Sequence, residues 1–244
     1  MVTFNNAGRM GNWLFEAATA MAYALEHDLD FTVPNETSNP KWNPIYCSHL
    51  INDSYNPGLE KIHLYETRHN YEPIPYDPSW RDKNIIIEGY RQTAKYFDNY
   101  RSEILYLLGF EYKEMDYVSV HVRRGDYVQL REKHPEVTVE WYEKAMSMFP
   151  GKTFKFFSDD ITWCQEAFKH RADCVYSGNM DEQSDLIEMS WGEHQICSPS
   201  TFSWWGAYLN KNKNKKVIFP QFWFTPNWDG LDTSDIVKPE WIKL

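Results

Sequence analysis

An α/β fold built on parallel sheets is what this sequence predicts, and three observations predict it. From about residue 116 short β-type runs alternate with amphipathic helical segments, and the chain opens near Val2 with the same order of strand, glycine turn and helix. In the third, Val118, Val120 and Val122 run directly into the adjacent pair Arg123 and Arg124. A βαβαβ order implies right-handed crossovers, helices on both faces of the sheet, and ligands bound beyond the carboxyl ends of the strands. At 244 residues, 42% of them hydrophobic, the chain can build one large domain or two small ones around a real core. The two stretches of βα pattern place the division at 1–112 and 113–244.

In order along the chain, the first half begins with a strand over Val2 to Phe4 and then a helix. In that helix Leu14, Ala17, Ala18, Met21 and Leu25 form one apolar stripe. A second strand is expected over Leu29 to Val33. Residues 34 to 84, rich in Pro, Asn, Tyr and Asp with little periodicity, read as long loops with short elements. A strand over Ile85 to Ile87 and a helix over Tyr96 to Phe110 complete this half. In the second half the strands are Tyr117 to Val122, Phe154 to Phe157, Cys174 to Tyr176, Gln195 to Cys197 and Val217 to Phe219. A helix starting at Thr138 as N-cap places Trp141, Tyr142, Ala145, Met146 and Phe149 at helical spacing. Further helices are expected over Asp160 to His170, Asp181 to Trp191 and Thr201 to Asn210.

Strand alternation puts Val118, Val120 and Val122 on one face and Ser119, His121 and Arg123 on the other. His121 and Arg123 therefore reach the same place, while Arg124 points away. A guanidinium stays charged at any working pH and matches phosphate oxygens two at a time, so a strand-end Arg123 suits a diphosphate. The alternative is an arginine paired with Asp126 across the turn. Two other loops stand between a strand and a helix, where backbone N–H groups and the helix dipole favour an anion or a polar ligand. The first, Gly8-Arg9-Met10-Gly11-Asn12, lacks the Walker lysine and the full GxGxxG spacing, and its Asn12 can either cap the helix or donate to a bound oxygen. The second, Ser198 to Gly206, carries hydroxyls at Ser200, Thr201 and Ser203, of which one would suffice as a cap. Asp185 on the preceding helix and His194 before the strand are expected at the same end of the sheet. An acidic side chain there suits the adjacent N1–H and amino donors of guanine.

Composition narrows the partners. A formal net charge of -10 argues against nucleic acid, whose affinity comes largely from a basic surface. The run Lys211, Lys213, Lys215 and Lys216 can be a solvated loop or can touch an anionic membrane. With a structured motif by Gly8 and no apolar run of spanning length, a soluble cytoplasmic enzyme is expected. Cys47, Cys164, Cys174 and Cys197 lack CxxC spacing and read as reduced core residues. Eleven Trp, sixteen Tyr and fourteen Phe supply either core packing or platforms for sugar rings or a base.

His121-Val-Arg-Arg-Gly-Asp126, the opening Gly-Arg-Met-Gly-Asn, the segment Gly89-Tyr90-Arg91-Gln92-Thr93 to Tyr96-Phe97, and Ser-Thr-Phe-Ser-Trp-Trp-Gly-Ala together resemble the α-1,2-fucosyltransferase family, glycosyltransferase family 11. The motifs run from residue 8 to about 210 in the family's order. The arginine signature is also similar to that of α-1,6- and protein O-fucosyltransferases. The resemblance implies a GT-B-like fold of two Rossmann-like domains, the C-terminal one binding the nucleotide sugar. It also implies GDP-fucose as donor, a galactose-containing glycan as acceptor, inversion at the anomeric carbon, and no metal or other cofactor. By it Arg123 holds the β-phosphate, and His121, Arg124, Asp185, Ser200, Thr201, Phe202 and Ser203 line the nucleotide site. Gly11 and Asn12 approach the donor, and Asp126 and Glu16 are the carboxylates nearest the motif loops for removing the acceptor proton. The chain departs from the family at Trp13 and Glu16, where glutamine-containing text is usual, and at Pro199, where asparagine is usual. Three other readings are a sugar-binding module without catalysis, a dinucleotide oxidoreductase, and a transferase using another nucleotide sugar. A metal-dependent transferase would use Asp28-Leu-Asp30 as its DxD.

Overall fold

The computed structural model describes residues 1–34, 45–226, 228 and 230–244. The chain divides into two compact units, one of Met1–Phe110 with Leu231–Ile236 and one of Glu111–Gly230 with Val237–Leu244. The observed boundary lies two residues from the expected one, and a late segment, 231–236, belongs with the first unit. Within that unit Thr93 Oγ1 donates to the Asp235 carbonyl at 2.9 Å and Lys95 Nζ to its carboxylate at 2.6 Å.

The first unit carries a three-stranded parallel sheet in the order β1 (Val2–Phe4), β3 (Asn84–Ile87), β2 (Lys61–Leu64). Helix α1 (Met10–Glu26) follows β1 and is buried along nearly its whole length. The strand expected over Leu29 to Val33 is reduced to one bridge between Val2 and Phe31. In its place a tight turn at Asp28, φ 52°, carries the chain off α1. Asp28 is bonded by Arg81 through its carbonyl at 2.8 Å and its carboxylate at 3.3 Å, which makes it a turn residue. Strand β2 escaped the sequence pattern because its exposed positions leave only Leu64 buried. The helix expected over Tyr96 to Phe110 breaks at Phe97, φ -142°, into short 3-10 turns followed by α2 (Arg101–Leu108). It ends at Gly109, whose φ of 66° suits glycine.

The second unit is a six-stranded parallel sheet. Its strands are β4 (Met115–Val122), β5 (Phe154–Ser158), β6 (Cys174–Tyr176), β7 (Gly192–Ile196), β8 (Val217–Phe219) and β9 (Ile242–Lys243). They lie in the order β6-β5-β4-β7-β8-β9. Helices α3 (Val139–Met146), α4 (Ile161–Ala167), α5 (Glu182–Met189) and α6 (Thr201–Leu209) connect them. Three helices open on a side-chain cap, the one expected at Thr138 and two more at Asp160 and Asp181: these side chains accept from Trp141, Trp163 and Ser184 N–H. Each such cap contributes roughly 1 kcal/mol. Both faces of β4 are covered. Val118, Val120 and Val122 join Tyr142, Met146, Phe156 and Phe168 in the core, while on the opposite face Ser119 Oγ donates to the Met189 carbonyl at 2.7 Å.

The four cysteines are unpaired thiols, and burial raises each of them. In the lysine run, Lys215 bonds the Asn210 carbonyl and Lys216 N–H donates to His194. Among the described residues no helix is long and apolar enough to cross a membrane.

Candidate active site

The strand order locates the site in the second unit. From β4 the chain moves outward through β5 to β6, then returns to place β7 on the other side of β4. The order therefore reverses between β4 and β7, and in open parallel sheets ligands bind at the carboxyl ends of the strands flanking such a reversal. His121 and Arg123 leave the end of β4 there, and Ser198 to Ser203 leave the end of β7. The two ends meet: His121 Nδ1 shares a 2.8 Å hydrogen bond with Ser198 Oγ, and its ring lies 5.2 Å from that of Phe202. Burial, with Arg123 adding to it, lowers the His121 pKa to about 3. The ring is neutral at physiological pH and can accept or donate without bringing charge.

At the start of α6, Ser200 is the N-cap in extended conformation, yet its side chain makes no capping bond. Ser203 is buried and its Oγ accepts from Ser198 N–H at 3.1 Å, holding the loop in shape. Thr201 and Phe202 are half-buried beside it. Asp185, in the first turn of α5, accepts from Ser177 Oγ at 2.5 Å and Asn179 Nδ2 at 3.1 Å, both on Oδ1. Burial nevertheless raises its pKa. Ser177 ties it to the end of β6, two strands or about 10 Å from β4 across the sheet. His194 does not reach this end. It lies inside β7 opposite Val118, accepts from Lys216 N–H at 3.1 Å and stacks 4.8 Å from Phe149.

Arg123 and Arg124 separate as alternation requires. Arg124 Nε donates to Asp160 Oδ2 at 3.1 Å and its guanidinium lies 4.0 Å from the Trp163 ring centre. It therefore anchors the start of α4. Arg123, with its side chain 14% exposed, pairs with Asp126 and, at 2.6 Å, with Asp159, and sits 5.0 Å from the Tyr127 ring. The turn pairing with Asp126 that the sequence offered as an alternative is thus present. Asp159 is the partner sequence reasoning missed. Its Oδ1 also accepts the Arg124 N–H at 2.9 Å, and a Cβ on Gly125 would stand 2.4 Å from its Oδ2. The adjacent acids Asp159 and Asp160 just after β5, the strand beside β4, were the available signal. Two further residues complete the wall. Tyr127 stacks on His134 at 3.6 Å, and His134 Nδ1 is buried with no partner among the described residues. Burial first, then Lys133, lowers the His134 pKa to about 4. Arg123, Arg124, Tyr127, Arg131 and His134 line one pocket of about 360 Å³.

In the first unit the Gly8 turn leads into α1. Asn12 does not cap the helix, whose N-cap is Arg9; its Oδ1 instead accepts from Gln92 Nε2 at 3.0 Å. Gly8 has φ 82°, and a Cβ there would stand 2.5 Å from Asn12 Nδ2, so the turn requires glycine. Gly11 is buried in the first turn of α1. Glu16 corrects the expectation of a second base. Its side chain is fully buried, its Oε2 accepts Ala7 N–H at 3.1 Å, and its pKa is pushed up to about 9 by burial, with Glu88 and Glu66 adding to it. A carboxyl protonated at neutral pH cannot take a proton from an acceptor; Glu16 fastens the turn. Arg91, from the Gly89 to Thr93 segment, is also internal: it donates to Leu64 and Glu88 carbonyls, Glu72 Oε1 and Tyr96 OH. Among the described residues no group of three or more His, Cys, Asp or Glu is placed to hold a metal.

Comparison with known proteins gives the family. The family model described as glycosyl transferase family 11 matches residues 1–244. The O-antigen biosynthesis glycosyltransferase WbnK of Escherichia coli is 30% identical over 222 residues, 80% of this chain and 72% of that protein. An alpha-1,2-colitosyltransferase of Escherichia coli is 28% identical over 64% of this chain and 61% of its own length. Galactoside alpha-(1,2)-fucosyltransferase 2 of Oryctolagus cuniculus is 26% identical over 100% of this chain and 80% of that one. The solved fucosyltransferase NodZ from Bradyrhizobium aligns over 84% of this chain and 91% of its own, at 11% identity and a TM-score of 0.49. With its family model matched from the first residue to the last and the arginine motif at the strand reversal, the chain belongs to glycosyltransferase family 11 and is a glycosyltransferase.

Proposed function

We propose that this enzyme moves L-fucose from GDP-fucose to the 2-hydroxyl of a galactose on a glycan acceptor, with inversion and without a metal. The observation that carries the reading is the meeting of His121, on the strand that delivers Arg123, with Ser198 and Phe202 at the strand reversal. As fucose leaves, positive charge develops at its anomeric carbon and the diphosphate gains negative charge, so preorganised donors must stand where that charge appears. Arg123 and the hydroxyl groups at Ser200 and Thr201 are those donors, the Ser200 N–H being held by the Ser198 carbonyl at 2.8 Å. Neutral His121 orients the loop through Ser198. Asp185 offers Oδ2 to the guanine N1–H and amino group.

The carboxylates on Arg123 differ in how readily a phosphate can replace them. The Asp126 side chain is 57% exposed, and an exposed pair of this kind is worth roughly 0–1 kcal/mol. Asp159 is less exposed and also holds the Arg124 N–H. In the proposed mechanism the β-phosphate takes the place of Asp126 and Asp159 keeps the guanidinium oriented. Asp126, released from the arginine, is then the carboxylate left to accept the acceptor proton.

A second donor is favoured by one observation, the colitosyltransferase among the relatives. Transfer assays with GDP-fucose and GDP-colitose on a β-galactoside, with NMR assignment of the product linkage, test both. The proposal expects an α-1,2-fucosyl product; transfer from GDP-colitose alone, or a different linkage, would overturn it.

A further inference from the structure

A second polar cleft lies wholly within the first unit, along the C-terminal half of α1. It is walled by Thr19, Tyr23, Tyr71, Lys95, Tyr96 and Tyr100. Thr19 is seven residues along α1 from Asn12, and His27, which also borders the cleft, is fifteen. At 1.5 Å per residue those are roughly 10 and 22 Å along the helix. The cleft is therefore distinct from the Gly8 to Asn12 turn.

Its walls are fixed in advance. Tyr23 OH donates to the Pro75 carbonyl at 2.9 Å, and Tyr96 OH accepts from Glu72 N–H and from Arg91, each at 3.2 Å. Tyr71 packs 5.0 Å from Tyr96, and its N–H donates to Asp235 Oδ2 at 3.0 Å. The same carboxylate takes Lys95 on its other oxygen at 2.6 Å. Lys95 is thereby neutralised, and with Glu26 also on the wall the cleft has no excess of cation with which to hold a phosphate. Tyrosines offer flat apolar faces with polar tips, and Tyr71 is 40% exposed.

We propose that this cleft is a second carbohydrate subsite, holding an uncharged sugar unit of the glycan acceptor other than the one that reacts. It rests on the reading of the enzyme as one that acts on glycans. Isothermal titration of the whole protein with a β-galactosyl disaccharide, a β-galactosyl hexasaccharide and GDP tests it. The hexasaccharide should bind at least tenfold more tightly than the disaccharide. Tyr71→Ala and Tyr100→Ala, each verified as folded by thermal melting, should each remove that gain and leave GDP affinity unchanged. Equal affinity for the two glycans in the parent protein, or a hexasaccharide gain retained in the folded variants, would overturn the subsite. Loss of GDP binding by the parent protein, with the glycan results as expected, would instead sink the nucleotide assignment and leave the subsite standing.

Discussion

Replacing Glu16 by glutamine should stabilise the protein at neutral and alkaline pH. Glu16 is fully buried on α1, its pKa is raised to about 9 from an ordinary value of 4.5, and among the described residues only Oε2 has a partner. Because the folded-state pKa lies above the unfolded one, the folded state binds the proton more tightly. The contribution is fully present below about pH 4.5 and is lost as pH rises toward about 9. Each pH unit in that window costs about 1.4 kcal/mol. At pH 7, some 2.5 units above 4.5, the penalty relative to a permanently neutral side chain is about 3 kcal/mol. Glutamine keeps an acceptor for the Ala7 N–H and removes the titration. Urea unfolding of parent and Glu16→Gln protein at pH 6 and pH 8 is the assay. The variant's advantage should grow by roughly 3 kcal/mol between the two. Parallel pH dependence in the two proteins would show that Glu16 is already ionised in the folded state, and the account of it as a neutral fastener of the Gly8 turn would fail.

Three further outcomes are expected. Asp185→Ala should weaken GDP at least tenfold and leave inorganic diphosphate nearly unaffected, as read by calorimetry; equal losses for both would make Asp185 a structural residue of α5. Turnover should be unchanged by EDTA, and activity lost on chelation but restored by manganese or magnesium would end the metal-free mechanism. Arg124→Ala should lower the melting temperature, because it strips Asp160 and Trp163 of their partner at the start of α4, with a smaller effect on the transfer rate than loss of Arg123.

What could be read from the sequence was what depends on near neighbours. The caps at Thr138, Asp160 and Asp181 each act within three residues, and the valines of β4 announce their face by alternation, so the second unit was legible nearly element by element. Strand β2 was not, because what makes Lys61–Leu64 a strand is backbone pairing with β3 rather than a buried side-chain pattern. The helix after Tyr96 looked continuous because its apolar spacing carries through Phe97, where the backbone breaks. At the site, His121 and Arg123 followed from alternation. Asp159 did not, since it reaches Arg123 from the end of the neighbouring strand, 36 residues away in sequence. Glu16 was legible as a carboxylate near a motif but not as a buried one. Its protonation depends on the sheet and on Glu66 and Glu88, distant in sequence, closing around it.

The role of Arg123 as the clamp on the leaving diphosphate is tested most directly by the rate of sugar transfer in Arg123→Ala and Arg123→Lys, with thermal melting of each. Loss of one preorganised donor to a developing anion costs about a hundredfold or more in rate, and lysine keeps the charge without the fork that Asp159 and a phosphate can share. The account predicts an alanine variant that remains folded and is slowed by about that factor, and a lysine variant only partly restored. A folded Arg123→Ala protein that transfers sugar at the parent rate would contradict it.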